Sequence, residues 1–413
     1  MNMYFAPDLR GGTVLPLPCA FVPLSSEDSV TSSLRKFQHL AMAALCLAVA
    51  TSSALAEITV GVIVSATGAA AGQGIPERNL IALLPPKLAG ESVKYIMLDD
   101  ATDPALAVKN ARKLTSEDHV DVFLAGSSSP TTQGIAQVAL EARTPQISMA
   151  PMAPTPQQQP WIFIVPQSAD LMIEAVLEHM QAHGVKSVGY IGYSASWGDL
   201  VYQSLTSMAG KNGITVVNNE RYERTDTSVV GQVLKSVTLK PDAMLIGATG
   251  TAAALPHLTL RERGFNGPIY HTHGVVNDDF LRVGAKGVEG ALAPIGPVVV
   301  WKDLGADNPM KKVSADFVAL YSKASGNGPV NAFATWAYDG YLLLEKAAGE
   351  ALKKAKPGSE DFRLALRNAL ENNTAGMVGA NGIYNIGPKD HNGLDRRARV
   401  MVHVVASDWR LAP

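Results

Sequence analysis

The sequence predicts an α/β protein made of two doubly wound parallel-sheet lobes, joined by a hinge that the chain crosses three times. Runs rich in β-branched residues recur along the chain, and short polar turns connect them to the segments between them. Those intervening segments have helical patterns of about 10 to 15 residues, and this alternation indicates parallel strands with helices on both faces of the sheet. The 413 residues are enough for two such lobes.

The first set of elements opens with the strand Ile58–Val64, a β-branched run typical of a buried parallel strand. A loop of small residues, 65–74, leads to a helix at 76–84 with a proline early in its first turn. The later predictions in this set are strand 93–98, a helix from 103 to 114, strand 120–124, a helix opened by 127–132 and strand 145–149.

A second set begins near Ser168. Its predicted elements are helix 169–182, strand 187–192, helix 199–212, strand 215–222, helix 228–237, strand 243–246, helix 251–263 and strand 268–271. After a stretch rich in Pro and Gly at 294–297, three further helices are predicted at 310–324, 333–352 and 359–372.

Hinge crossings are expected near residues 167, 298 and 376. The first lobe is therefore predicted to contain 57–167 and 298–376, and the second to contain 168–297 and 377–413.

The segment before Glu57 has the pattern of a secretory signal. Arg35 and Lys36 precede the apolar run 40–50, and small residues ending in Ala-Leu-Ala follow it. The run is about half of the roughly 20 apolar residues that span a bilayer. Residues 1–56 are therefore predicted to be a leader and signal peptide cleaved after Ala56, which places the mature chain in the periplasm.

Composition and the positions of the cysteines limit the classes of partner and of chemistry that are expected. A net charge of −2 provides no field for a polyanion, so nucleic acid is not expected as a partner, and no later segment is apolar enough to insert into a membrane. Cys19 and Cys46 both precede the cleavage site, so the mature chain has no disulfide, thiolate nucleophile or cysteine ligand. The expected partner is a small molecule, bound by a monomer.

Several segments in order carry a resemblance to a known family. They are the opening strand with its glycine-rich loop, 99–104 (DDATDP) with 109–111 (KNA), 126–129 (GSSS), 196–199 (SWGD), 263–265 (RGF) and 338–340 (YDG). The chain from residue 57 onward resembles the branched-chain amino-acid binding family of type I periplasmic binding proteins. That resemblance implies a ligand held between two lobes, delivery to the membrane permease of an ABC importer, and no enzymatic activity.

The helix start at 127–132 is a candidate anion site. Ser128, Ser129 and Thr131 offer hydroxyl groups beside free backbone N–H groups, which suit a carboxylate. The alternative is that these residues serve only as helix caps.

The resemblance implies that the loop at 149–152 shares the carboxylate, which makes Ala150 and Met152 binding candidates. Met152 stands where relatives commonly have a threonine, and Pro151 lacks a backbone N–H donor. The chain therefore departs from the family's pattern at this loop.

Three further candidates come from other loops. Trp197 stands where the family places an aromatic over the ligand, although a packing role is the alternative. Gln73 could meet the ligand from the first lobe or be a solvated turn residue, and Thr249 completes the set.

His273 is the departure that bears most on the ligand. The family places a carboxylate near this point to pair with an amino acid's ammonium group, and an imidazole carries no permanent negative charge. We therefore expect an aromatic or other organic acid rather than a standard amino acid, with a branched-chain or other amino acid as the alternative. If the alignment of this strand with the family is displaced by one position, His271 replaces His273 as the candidate residue.

Three other classes of site are weighed against this reading. A nucleotide-dependent α/β enzyme is a minor alternative, because residues 72–77 lack the third glycine of the dinucleotide fingerprint. His271 and His273 alone are too few ligands for a metal, and Ser129 has no recognisable catalytic partners. No cofactor, metal or catalytic residue is expected.

Overall fold

The computed structural model describes residues 57–325 and 330–413. They belong to one compact unit. The predicted leader, with its signal sequence and cleavage after Ala56, lies outside the described residues.

Sixteen strands are described. They are β1 Ile58–Val64, β2 Lys87–Leu88, β3 Glu91–Asp99, β4 Val122–Ala125, β5 Gln146–Ser148, β6 Ile162–Ile164, β7 Ser187–Tyr193, β8 Thr215–Val216, β9 Glu220–Tyr222, β10 Ala243–Gly247, β11 Ile269–His271, β12 Leu292–Ile295, β13 Met377–Val378, β14 Ile383–Tyr384, β15 Val400–Val405 and β16 Asp408–Leu411.

Eleven α-helices are described. They are α1 Ala71–Ile81, α2 Pro104–Ser116, α3 Ser129–Glu141, α4 Ala169–Ala182, α5 Ser196–Ala209, α6 Val230–Thr238, α7 Ala254–Glu262, α8 Asp278–Gly284, α9 Pro309–Ser325, α10 Ala332–Ala351 and α11 Glu360–Asn373.

The first lobe is built on a sheet of six strands in the order β2-β3-β1-β4-β5-β6. β1 lies inside it and pairs in parallel with β3 and β4. Its residues are buried except Thr59, as expected of a strand covered on both faces. The later helix α10 packs against α1, β4 and β5, so the C-terminal helices return to this lobe.

The second lobe is built on a sheet of eight strands. Its order is β16-β15-β12-β11-β10-β7-β8, with β9 also paired to β7. The strands from β7 to β12 pair in parallel, whereas β15 and β16 add an antiparallel edge. The predicted fold class, α/β with two parallel-sheet lobes, is confirmed.

Helix α1 begins five residues before its predicted start. Pro76 lies inside the helix rather than in its first turn. The first turn is packed against the end of β1, where a Cβ on Gly74 would lie 2.3 Å from the backbone oxygen of Ser65. This close approach orders a segment that its small residues alone would assign to a loop.

Some elements were not predicted. β6, α8, the C-terminal strands and β12 are absent from the prediction, and 215–222 forms two short strands instead of one. β12 contains Pro294, a residue that indicates a turn or a sheet edge when it is read locally. Its pairing with β11 and β15 outweighs that local preference.

Three segments of chain meet where the lobes join. A Cβ on Gly296 would lie 2.5 Å from Oδ1 of Asn381 and 2.8 Å from Nε2 of Gln167. Asn381 is anchored to the first lobe, because its backbone N–H donates to Asp339 of α10 at 3.0 Å. The third crossing is predicted near 376, yet the chain still contacts the first lobe at Asn392, whose Nδ2 donates to the carbonyl oxygen of Ile164 at 2.8 Å.

Within the described residues, no helix combines the length and apolar character that a membrane span requires.

Candidate ligand-binding site

A small cavity lies between the two lobes at the carboxyl ends of their parallel strands, the usual place for ligands in open α/β sheets. The first lobe lines it with Gln73, Ser127, Ser128, Ser129, Ala150, Pro151, Phe333 and Trp336. The second lobe lines it with Trp197, Arg224, Thr249, His273 and Gly274. Seven of the nine predicted binding residues are therefore brought together here.

The serine loop between β4 and α3 forms one wall. It turns at Gly126, whose φ of 94° favours glycine, since a Cβ would also lie 2.4 Å from Cβ of Thr132. Ser128 is the N-cap of α3. Ser129 donates its hydroxyl hydrogen to the carbonyl oxygen of Pro151 at 2.6 Å, which ties this loop to the one after β5. The hydrogen of the Ser129 hydroxyl is therefore already used in a hydrogen bond within the protein.

Two predicted residues do not line the cavity. Thr131 serves the helix start: its Oγ1 accepts from the backbone N–H of Ser128 at 3.3 Å and donates to the Ser128 carbonyl at 3.1 Å. This is the capping role that the sequence left open. Met152 turns its sulfur toward Oγ1 of Thr132, 3.9 Å away, and lies in a neighbouring groove.

Aromatic rings form the opposite wall. The imidazole of His273 lies edge to face with the indoles of Trp197 and Trp336, at centroid distances of 5.4 Å and 5.1 Å. Phe333 packs edge to face on Trp336 at 5.1 Å. All four side chains are buried, and these arrangements are favourable for aromatic pairs. The wall suits a flat apolar group.

Burial lowers the pKa of His273 to about 3, so its imidazole is neutral at physiological pH. Its Nδ1 has no hydrogen-bond partner among the residues that the structure describes. The same holds, within those residues, for Nε1 of Trp197, Nε1 of Trp336 and Oε1 of Gln73. Buried polar atoms are normally paired, and these four unpaired atoms all belong to residues that line the same cavity.

The lobes touch directly beside the cavity. Gln73 of α1 donates from Nε2 to Oγ1 of Thr249 at 2.6 Å, and Arg224 donates from Nη2 to the same oxygen at 3.2 Å. The Arg224 guanidinium also stacks on the Tyr193 ring, 4.6 Å from its centroid. Tyr193 in turn donates its hydroxyl hydrogen to the Thr249 carbonyl at 2.7 Å. Arg224 is thus held at the cavity by two contacts.

His271 does not line the cavity. Its Nε2 is hydrogen-bonded to Nδ1 of His257 at 2.9 Å, and the two rings stack at 5.2 Å. Burial lowers the pKa of both imidazoles. Of the two histidines that the sequence offered, the structure places His273 at the cavity. Among the described residues there is no group of three or more side chains able to hold a metal ion.

Sequence reasoning missed Arg224, Phe333 and Trp336. A signal existed for the two aromatics, since Asn331 is an N-cap residue and its Oδ1 accepts from the backbone N–H of Phe333. Phe333 and Trp336 are three residues apart and so share one face at the start of α10. Arg224 follows β9 in a loop and carried no such pattern.

The match to a known family decides the identity of the fold. Residues 57–405 match the family described as periplasmic binding protein. The chain belongs to this family. The resemblance drawn from the sequence is thereby confirmed, and periplasmic binding proteins are a class of solute-binding proteins and not a class of enzymes.

Solved structures of similar proteins agree. An extracellular ligand-binding receptor from Rhodopseudomonas palustris HaA2 is 41% identical, with a TM-score of 0.85 over 86% of this chain and 100% of the other. A leucine-binding protein from Thermotoga maritima is 22% identical, with a TM-score of 0.75 over 86% of this chain and 98% of the other. At this identity the likeness shows the fold alone.

A third structure was solved with its ligand. It is the solute-binding protein of an ABC transporter from Rhodopseudomonas palustris BisB5 in complex with 3,4-dihydroxybenzoic acid. It is 20% identical with a TM-score of 0.70, over 86% of this chain and 95% of the other, and so shows the fold alone. No curated protein matches this sequence.

Proposed function

We propose that this periplasmic binding protein captures a small aromatic carboxylic acid between its lobes and delivers it to the permease of an ABC importer. The observation that carries the proposal is the charge of the cavity. No aspartate or glutamate among the described residues lines it, whereas Arg224 does. A carboxylate finds a cation there, and an ammonium group finds no anion.

The aromatic wall supports a ring rather than an aliphatic chain. Trp197, Trp336 and Phe333 bring large rings into contact with the cavity, and their faces and edges suit another planar group. A neutral His273 adds a polar group between the two indoles, which suits a phenol or hydroxyl substituent. The dihydroxybenzoate complex of the BisB5 protein shows that this fold accommodates such a ligand.

A branched-chain amino acid is the alternative ligand. It would present its ammonium group to a cavity that contains Arg224 and His273 but no carboxylate from the described residues. A buried unpaired ammonium is costly, so this ligand should bind weakly.

The route to and from the site belongs to the same proposal. Export through a signal peptide cleaved after Ala56 would place a monomeric mature protein in the periplasm. Ligand binding would select the state in which both lobes contact the ligand, and that state would dock on the permease.

Thermal-shift and calorimetric titrations of the mature protein with benzoate, 4-hydroxybenzoate, leucine and NAD test the proposal. Stabilisation by the two aromatic acids and no response to leucine or NAD is expected. Tight binding of leucine with no response to benzoate would overturn it.

The Arg224→Gln variant should respond to benzoate only at higher concentrations than the wild type. Arg263→Gln provides the matched control, because Arg263 is exposed on the same lobe and does not line the cavity.

A further inference from the structure

A buried glutamate lies directly behind the serine loop. Glu77 is fully buried in α1, one helical turn after Gln73, so the two side chains share a face of the helix. Gln73 reaches the second lobe, and Oε2 of Glu77 hydrogen-bonds Oγ of Ser127, a residue that lines the cavity. A chain of contacts therefore connects Glu77 to the ligand site.

The surroundings of Glu77 do not suit a carboxylate anion. Its Oε1 has no hydrogen-bond partner, and it forms no ion pair, within the described part of the chain. An ionised carboxylate buried in this way is strongly disfavoured. Burial raises the pKa of Glu77 well above its ordinary value, and the neighbouring Asp100 raises it further. Burial without a cationic partner therefore favours the neutral acid, which has one hydrogen to donate.

Asp100 provides a contrast at the same place. Its Oδ1 accepts from Oγ of Ser65 at 2.6 Å and from the backbone N–H of Thr102 at 2.9 Å. The Glu77 carboxyl group accepts no backbone N–H among the hydrogen bonds described. Each acid has one oxygen without a partner among the described residues, but Asp100 has a backbone N–H donor and Glu77 is hydrogen-bonded only to the Ser127 hydroxyl there.

The hydrogen bonds of Ser127 then determine where its own hydrogen points. A hydroxyl group has two acceptor lone pairs and one hydrogen. The backbone N–H of Ser65 donates to Oγ of Ser127 at 2.9 Å, and the same hydroxyl is hydrogen-bonded to Oε2 of Glu77. The Ser127 hydroxyl donates in the second bond if Glu77 is an anion and accepts if Glu77 is protonated; in the protonated case both lone pairs are occupied and the Ser127 hydrogen is available to the cavity.

We propose that Glu77 is a protonated positioning residue that turns the Ser127 hydroxyl into a hydrogen-bond donor for the anionic oxygen of the ligand. This inference rests on the proposed function for the nature of the ligand. An ionised Glu77 would instead take the Ser127 hydrogen and leave an oxygen lone pair facing the ligand's carboxylate. The proton on Glu77 thus favours an anion over a hydrogen-bond donor at this point.

Other titratable groups lie on the elements that pack on α1 or line the cavity. Asp100 follows β3, Tyr338 and Asp339 are on α10, Tyr321 is on α9, and Arg224 and His273 lie across the cavity. The turn at 250–253 that packs on α1 contains none.

Infrared spectroscopy of the intact mature protein at pH 7 tests the location of the proton without a ligand. The carbonyl band of a neutral carboxylic acid is expected in the wild type and absent from Glu77→Gln. Asp100→Asn is the matched control and should keep the band. In Ser127→Ala the band should move to higher frequency, because the acid loses its acceptor. This shift remains measurable if Glu77→Gln fails to fold.

Benzoate titrations test the effect on the ligand. An amide at position 77 can donate as a neutral acid does, so Glu77→Gln should bind benzoate within about twofold of the wild type, whereas Ser127→Ala should bind about tenfold more weakly. Three results would each overturn the inference. They are the absence of an acid band in the wild type, a Glu77→Gln variant that binds benzoate about tenfold more tightly, and an unchanged affinity for benzoate in Ser127→Ala. If benzoate binds at no pH, the proposed function fails, and the infrared band alone decides whether Glu77 is protonated.

Discussion

Gln73 and Thr249 belong to different lobes and are joined by a hydrogen bond of 2.6 Å between Nε2 and Oγ1. Both side chains are buried, so solvent does not compete for the contact. In the open form that we propose, this contact would be lost, so the threonine oxygen would favour the closed lobes.

Replacing Thr249 by Val should shift this balance toward the open form. The methyl group matches the hydroxyl in size but accepts nothing, so Gln73 and Arg224 each lose an acceptor. Benzoate affinity should fall about three- to tenfold, which corresponds to the free-energy contribution of one hydrogen bond. Small-angle scattering should show a larger radius of gyration for the variant. Thr259→Val is the control, because the Thr259 hydroxyl donates within its own helix, to the Leu255 carbonyl, and Thr259 does not line the cavity. Equal affinity and equal radius in the two variants would contradict the prediction.

Arg224→Gln should weaken benzoate about tenfold to a hundredfold, since a charge-assisted hydrogen bond is worth about 1.5–3 kcal/mol. Leucine affinity should not fall in parallel, because the ammonium group gains from the loss of the cation. Calorimetry of both ligands measures the contrast. A uniform loss for both would mean that Arg224 acts through its contacts with Tyr193 and Thr249 and not through charge.

His273→Glu tests the charge of the opposite wall. A carboxylate in place of the neutral imidazole should repel benzoate and offer a partner to an ammonium group. Benzoate binding should weaken by at least about tenfold, and leucine binding should become measurable by calorimetry. His403→Glu, on β15 away from the cavity, controls for the added charge. Unchanged benzoate affinity would remove His273 from the site.

His273 should also make the protein sensitive to acid. Its pKa is about 6.5 in the unfolded chain and about 3 in the folded protein. Below about pH 6.5 the unfolded chain therefore binds a proton that the folded protein does not, and the unfolding free energy decreases as the pH is lowered. Between pH 7 and pH 4.5 the wild type should lose roughly 2–3 kcal/mol more unfolding free energy than His273→Phe. Urea unfolding at the two pH values measures both losses, and equal losses would count against a buried neutral imidazole.

Trp197→Ala distinguishes a ligand contact from packing. If the indole covers the ligand, its removal should cost about 1–3 kcal/mol of binding free energy. Trp161→Ala is the comparison, because Trp161 is also a buried indole but lies outside the cavity. A similar small effect on benzoate affinity in both variants would assign Trp197 to packing.

Much of the fold follows from local sequence. β1 and α4 have the predicted bounds, because a continuous β-branched run and an amphipathic helix with a serine cap each specify one structure. Elements that depend on distant partners were missed: β6 pairs with β5, and β12 depends on β11 and β15. No local pattern encodes these pairings.

The site residues can likewise be separated into those that local sequence predicts and those that depend on distant contacts. Ser128, Trp197 and His273 each follow closely after a predicted strand, and the segments at the carboxyl ends of parallel strands converge on the cleft whichever residues they contain. Phe333 and Trp336 come from a helix whose facing is set by its packing on α1, β4 and β5. Thr131 has the sequence pattern of a binding residue, but its hydroxyl is used by the helix cap.

Gly296 gives the hinge a mechanical property. Gln167, Gly296 and Asn381 are packed so closely that any side chain at the centre would force them apart. A residue larger than glycine at position 296 would separate the segments that meet there, so the spacing of the two lobes at this joint depends on the absence of one side chain.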